Sequence, residues 1–219
     1  MSLFPDFEIS KAYAEKYPGV GFGLVLISGC HDFSSSPEFT AFKRKHLRKM
    51  RKRETLAQIS DRIAIYDAFF RKFEYACPLV KHLKRTIHSG FPQYSLLVDA
   101  HFMAEMCAGI LVAVTDFSRF EGKLVLDTAQ AGEVCAGMGG RKFVTKKDEI
   151  VLRDEKDIVC VLCQGADEKT RVSHHTTQVL FYAYAVPGIA HQYLEDGLSL
   201  AAETVKEFGG GCIESLAVF

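Results

Sequence analysis

Apolar and polar positions follow two rhythms along this chain. Residues 20–28 (VGFGLVLIS) are almost unbroken in apolar character, the pattern of a strand buried on both faces. From residue 38 to 73 the spacing changes. Ile59, Ile63, Tyr66, Phe70 and Phe73 fall three or four apart and make one apolar stripe, so the region reads as one long helix or two pieces of one. Ser10 is placed to cap a helix reaching about residue 16, which Pro18-Gly19 ends. Further helices are expected over 78–88, 96–107 and 189–208, each followed by glycine. Strands are expected at 7–9 and 124–126, at 149–153 and 158–163 as a hairpin around Asp154–Asp157, and at 177–186. Residues 29–37 read as a Ser-rich loop, 132–140 as a Gly-rich turn and 164–177 as a polar loop between strands. The strands gather in the second half, with helices before and after, which favours an α+β fold over a doubly wound sheet. With no internal repeat and no linker, residues 1–219 read as a single domain.

Charge sharpens this picture in one place. The chain carries 27 Lys and Arg against 27 Asp and Glu, so as a whole it has no bias toward nucleic acid or membrane. Eight of the basic residues lie in residues 43–53 (KRKHLRKMRKR): Lys43, Arg44, Lys45, Arg48, Lys49, Arg51, Lys52 and Arg53. That run contains no acid. It is either a phosphate-binding surface or a solvated helix answered by acids elsewhere in the fold. No aromatic residue interleaves with these cations, so stacking of single-stranded bases is not expected. No apolar run reaches the ~18–20 residues of a membrane span, and the opening MSLFPDFEIS has no signal-peptide core. Seven scattered cysteines read as reduced thiols of a cytoplasmic protein.

Candidate chemistry is sparse. Asp99, His101 and Glu105 lie close together, and on a helix His101 and Glu105 share a face, where the carboxylate could orient the imidazole as a base or a metal ligand. An ordinary polar helix face is the competing reading. Cys160 and Cys163 form a C-x-x-C without the second pair a zinc ribbon needs, so they read as core cysteines, and no metal or cofactor is expected. His174-His175 read as loop residues. Gly137-Met138-Gly139-Gly140 reads as a tight turn rather than an anion-binding nest.

Two longer stretches point to a family. PLVKHLKRTIHSGFPQYSLLVDAHFMAEM (78–106) and DEIVLRDEKDIVCVLCQGADEKTRVSHHTTQVLFYAYAVPG (148–188) carry a helix ending in Gly90, then Pro92, then Leu97-Val98-Asp99. The pattern continues with Asp116 to Gly122, Gly132-Glu133, Arg171-Val172, Val179-Leu180-Phe181 and Pro187. Together they resemble the combined third and fourth domains of the phenylalanyl-tRNA synthetase beta chain, the tRNA-binding and editing region, and more closely its stand-alone relatives. The resemblance covers most of residues 7–208.

The resemblance implies an α+β fold in three layers, with sheets packed on each other and helices outside. It implies a pocket between residues 98–106, 158–165 and 177–185, where the synthetases hydrolyse mischarged tyrosyl-tRNA. On that footing His101 is the candidate general base, Asp99, Gln164 and Tyr182 are candidate substrate contacts, and the basic run at 43–53 would hold acceptor-stem phosphates. The implied partner is tRNA or aminoacyl-tRNA, or a small amino-acid-like ligand. The implied activity, if the chain is an enzyme, is aminoacyl-tRNA deacylation. Tyr182 stands where the synthetases carry Glu, and Ala113 where a pocket His is usual. A non-catalytic RNA-binding module and a small-metabolite-binding protein that kept only the fold therefore stand beside the deacylase.

Overall fold

In the computed structural model, strands β2 (Phe22–Ser28) and β10 (Gln178–Tyr184) run antiparallel down the middle of a four-stranded sheet. Strand β3 (Leu111–Asp116) pairs with the free side of β10, and β11 (Cys212–Val218) with the free side of β2. The structure describes residues 6–34 and 36–219. The first five residues of the opening segment and Ser35 of the Ser-rich loop lie outside the described residues.

The register of the central pair decides what each face meets. Ala183 lies opposite Gly23, Tyr182 opposite Leu24, and Tyr184 opposite Phe22. Side chains alternate between faces, so the small pair shares one face and the large pairs the other. Helix α6 (His191–Gly209) lies over the small pair. A Cβ on Gly23 would come within 2.5 Å of Leu198 Cδ1, so glycine here lets the helix approach the sheet. On the opposite face Phe22, Tyr182 and Tyr184 pack ring against ring, and Phe22 stacks on Phe7 of β1 (Phe7–Ile9) at 5.3 Å.

β1 belongs to a second sheet, of five strands. It runs parallel to β4 (Leu124–Thr128), which leads antiparallel through β7 (Ile150–Arg153) and β8 (Ile158–Val161) to β9 (Gly165–Ala166). A two-stranded hairpin, β5 (Val134–Gly137) and β6 (Arg141–Val144), stands beside it. Helix α1 (Lys11–Lys16) starts at Ser10, whose side-chain oxygen accepts the Tyr13 amide.

The remaining helices lie outside the four-stranded sheet. α5 (Leu96–Ala108) packs against α6 and β3, and α2 (Pro37–Met50), α3 (Arg53–Lys72) and α4 (Pro78–Ser89) pack around α5. Ile59, Ile63, Tyr66 and Phe70 of the α3 stripe are buried, each contributing roughly 1.5–3 kcal/mol. The result is sheet on sheet with helices outside, an α+β arrangement in three layers as expected. Among the described residues no helix is long and apolar enough to cross a membrane.

One expectation, the Gly-rich turn, needs correction, and two strands lie where none was expected. Residues 111–116 form β3 directly after Gly109, which the helix pattern of 96–107 had masked. Residues 132–140 are more than a turn: 134–137 form a strand that hairpins onto β6, and the turn itself is only Met138–Gly140. Residues 212–218, to which no element was assigned, complete the four-stranded sheet.

Candidate functional site

Two regions hold the residues singled out by the sequence. The first is the inner face of α5. Its first turn is held by carboxylates: Asp32 Oδ1 accepts the Leu97 amide and Asp99 Oδ1 accepts the Tyr94 amide, both at 3.0 Å. Negative charge is favourable at this end of a helix. Asp99 is fully buried, and the Lys43 ammonium reaches it from α2 at 2.5 Å. The same ammonium donates to Pro92 O at 2.8 Å and lies 4.7 Å from the centre of the Phe39 ring. Burial holds the Asp99 carboxyl above the ordinary aspartate value, with Lys43 and the Tyr94 amide pulling the other way. Asp99 is thereby occupied as a structural anchor. The assignment of Lys43 to an RNA-facing surface is corrected: this one member of the basic run turns inward.

Nearly two turns further on, Glu105 sits between two imidazoles. Its two carboxylate oxygens lie 3.5 Å from His101 Nε2 and 3.3 Å from His82 Nδ1 of α4. His101 Nε2 also lies 2.8 Å from Val112 O, and because a carbonyl only accepts, that nitrogen carries the hydrogen. The sharp left-handed turn at Gly109 brings Val112 back beside the helix. A Cβ at Gly109 would crowd Ile59 O at 3.1 Å. Burial alone would lower the His101 pKa, but the Glu105 carboxylate and the Val112 carbonyl hold it above the ordinary histidine value. Burial alone would raise Glu105, but the two imidazoles hold it below the ordinary glutamate value. The i, i+4 pairing of His101 with Glu105 is present, then, with His82 as a third member that sequence spacing could not supply. In neutral His101 the Nδ1 lone pair has no hydrogen-bond partner among the described residues, and the ring lies 5.0 Å from that of Phe102.

Gln164 and Tyr182 are not part of this cluster. Gln164 Nε2 donates to Glu149 Oε2 and to Val144 O, each at 3.1 Å. Tyr182 is fully buried between the two sheets, and its hydroxyl makes no hydrogen bond among the described residues, though the Cys160 thiol lies against it. Burial pushes it far above the ordinary tyrosine value. His101 lies on the helix side of the four-stranded sheet, Tyr182 on the other. No hydrogen bond, ion pair or ring contact among the described residues links any two of Asp99, His101, Gln164 and Tyr182.

The smaller candidates resolve simply. All seven cysteines are free thiols, and burial pushes Cys160 up to about 12. The Gly139 amide of the Gly-rich turn already binds a carboxylate, that of Glu168, at 2.7 Å. His174 and His175 lie exposed on the polar loop, which is fixed from below by Thr176 donating to Asp116 Oδ2 at 2.8 Å. Among the described residues no group of three His, Cys, Asp or Glu is placed to hold a metal ion.

The second region is the outer face made by α2, α3 and α4. Arg44, Lys45, Arg48, Lys49, Arg51, Lys52 and Arg53 are all exposed, and none forms an ion pair among the described residues. Of their side chains, only that of Arg51 makes a hydrogen bond among the described residues, from Nη2 to Ile87 O at 2.5 Å. Among the described residues, the acids that might have answered this run do so only at Lys43. Sequence reasoning missed the continuation: Lys81, Lys84, Arg85 and His88 lie exposed along α4, again without ion pairs among the described residues. Their spacing of three and four was the available signal.

Among the clefts on the surface of the described residues, three stand out, and none of the three is lined by Asp99, His101, Gln164 or Tyr182. An aliphatic groove of about 740 Å³ runs between α3 and α4 past Leu56, Ile63, Val80, Leu83 and Ile87. A polar cleft of about 250 Å³ lies between α2 and the α4–α5 connection. A third, of about 290 Å³, lies between Lys16–Val20 and Val186–Ile189.

Among solved structures, the fold is similar to an N-terminal fragment of the phenylalanyl-tRNA synthetase beta subunit from Pyrococcus horikoshii, with a TM-score of 0.53 and 11% sequence identity. The match covers 97% of this chain but 53% of that one, so this chain spans about half the length of the fragment. No curated protein matches. A family model described as the B3/4 domain matches residues 64–208, beginning within α3 and leaving the basic run upstream of the match. The chain belongs to the B3/4 domain family.

Proposed function

We propose that this B3/4 domain is an RNA-binding module of tRNA-synthetase type, with tRNA the expected partner, held by the outer face of α2, α3 and α4. One observation carries the reading: seven cations of the 44–53 run are exposed with no acid partner among the described residues. A solvated helix in a chain of zero net charge could have neutralised them within the fold, and among the described residues only Lys43 is neutralised. Phosphates would do so instead, releasing counterions as they bind.

The test is tRNA binding measured across a salt series. Each phosphate contact contributes a slope of roughly −0.9 in log K against log salt. Changing Lys49, Arg51 and Lys52 to Glu should weaken binding at low salt and flatten the slope by about 3. Binding that ignores both salt and these substitutions would overturn the reading.

Ester hydrolysis has one observation in its favour, the Glu105-oriented His101 with a free Nδ1. Against it, Gln164 and Tyr182 are tied up or enclosed away from that imidazole. A panel of mischarged tRNAs separates the two readings. The binding module leaves every ester at its buffer rate, whereas a deacylase cleaves at least one faster and loses that activity in His101→Gln.

A further inference from the structure

The basic face is not uniform, and the polar cleft within it is its most specific feature. Arg44, Arg51, His88, Thr40 and Gln93 line it, and Lys43 forms part of its wall. No carboxylate is among its lining residues, whereas Asp67 lines the aliphatic groove. Lys16, on the third cleft, is paired with Asp148 at 2.7 Å. Lys43 is neutralised by Asp99, so the unanswered charge in the cleft belongs to Arg44 and Arg51.

Arg51 is also held in place. Its Nη2 donates to Ile87 O at the C-terminal end of α4, fixing one edge of the guanidinium while four N–H donors remain. A planar guanidinium fixed in this way presents a fork that matches the oxygens of a phosphate. The size of the cleft limits what enters. About 250 Å³ lies below the ~300–1,000 Å³ of sites that enclose a drug-sized molecule, so it suits a head group whose remainder stays outside.

We infer that this cleft is a phosphate-binding subsite in which Arg51 and Arg44, with His88 at the rim, grip one phosphate group. It rests on the RNA reading only for the source of that phosphate. An RNA backbone or terminal phosphate and a free phosphomonoester offer the same oxygens, and the experiment separates them.

Titration calorimetry at low salt with inorganic phosphate, AMP and adenosine is the first arm. Phosphate and AMP should saturate with similar affinity and adenosine should not bind. Arg44→Ala, which removes a side chain with no partner among the described residues, should weaken both anions by about tenfold. Arg51→Lys, which keeps the charge and loses the fork, should do the same. Lys49→Ala, on the same face but outside the cleft, should leave them unchanged. No saturable anion binding, or equal losses in all three variants, would overturn the subsite. The second arm repeats the variants with tRNA carrying a 5′ phosphate or a 5′ hydroxyl. If phosphate and AMP bind but neither tRNA does, the subsite stands for a free phosphomonoester and the RNA reading falls. If both tRNAs bind and Arg51→Lys weakens neither more than Lys49→Ala does, the RNA reading stands and the subsite falls.

Discussion

The inner face of α5 and the outer face of α2 and α4 are both rich in ionisable groups, yet they use them in opposite ways. On the inner face Asp99 meets Lys43, and Glu105 meets His82 and His101. On the outer face no cation between Arg44 and Arg53 meets an acid among the described residues. Residue type alone does not separate these cases. Whether bonding capacity is already committed within the fold does, and that makes the outer face the better candidate for a partner.

The largest effect that could break this contrast concerns Lys43. Replacing it with Ala leaves the Asp99 carboxylate buried without its counter-charge, which should cost about 3–5 kcal/mol. In a chain of this length that lowers Tm by roughly 10 °C. Pairing Lys43→Met with Asp99→Leu should recover most of the loss, since both charges leave together. An unchanged melting curve for Lys43→Ala would mean the inner face is not bound together as described.

Tyr182→Phe should be smaller and opposite in sign. The hydroxyl it removes is enclosed without a hydrogen bond among the described residues, so stability should stay level or rise by up to about 1 kcal/mol. A clear loss on denaturant unfolding would show that the hydroxyl has a partner.

The pH dependence of the histidine pair is subtler. His101 is raised in the folded chain, so its contribution is full below the ordinary histidine value and is lost as pH rises through the folded one. Glu105 is lowered, so its contribution is full above the ordinary glutamate value and is lost as pH falls through the folded one. Thermal stability of the parent minus that of His101→Gln should therefore decline from mildly acidic to alkaline pH. A flat difference would uncouple His101 from Glu105.

The smallest effect belongs to the outer face. Lys49→Glu and Lys52→Glu should each change stability by no more than about 0.5 kcal/mol. A larger loss would mean that these cations, too, are committed inside the fold.

Much of the fold was legible because its elements obey clear periods. The α3 stripe, the Ser10 cap and the β7–β8 hairpin follow from spacing and turn chemistry. β3 did not, because its apolar run follows one glycine after a helix of similar composition, and periodicity cannot separate the two. β11 did not, because its residues are half-buried on both sides and show no alternation. Of the site, the His101–Glu105 pairing was legible as an i, i+4 relation. Lys43 was obscured by being counted with its neighbours, although it falls four residues after Phe39 and seven before Met50, both buried. That spacing places it on the inward stripe of α2. The separation of Tyr182 from His101 depends on which way β10 faces, which its apolar pattern leaves open because both faces are buried.

The Lys43–Asp99 contact has a mechanical consequence. It rivets α2, which lies upstream of the B3/4 match, to α5 inside it. A cationic arm tethered only by its ends would have to be immobilised when a polyanion arrived, and that loss of freedom would weaken the complex. Here the arm is already fixed when the chain folds. The basic face would therefore meet a polyanion as a preformed template, and loosening the rivet should weaken such a complex without removing a single surface charge.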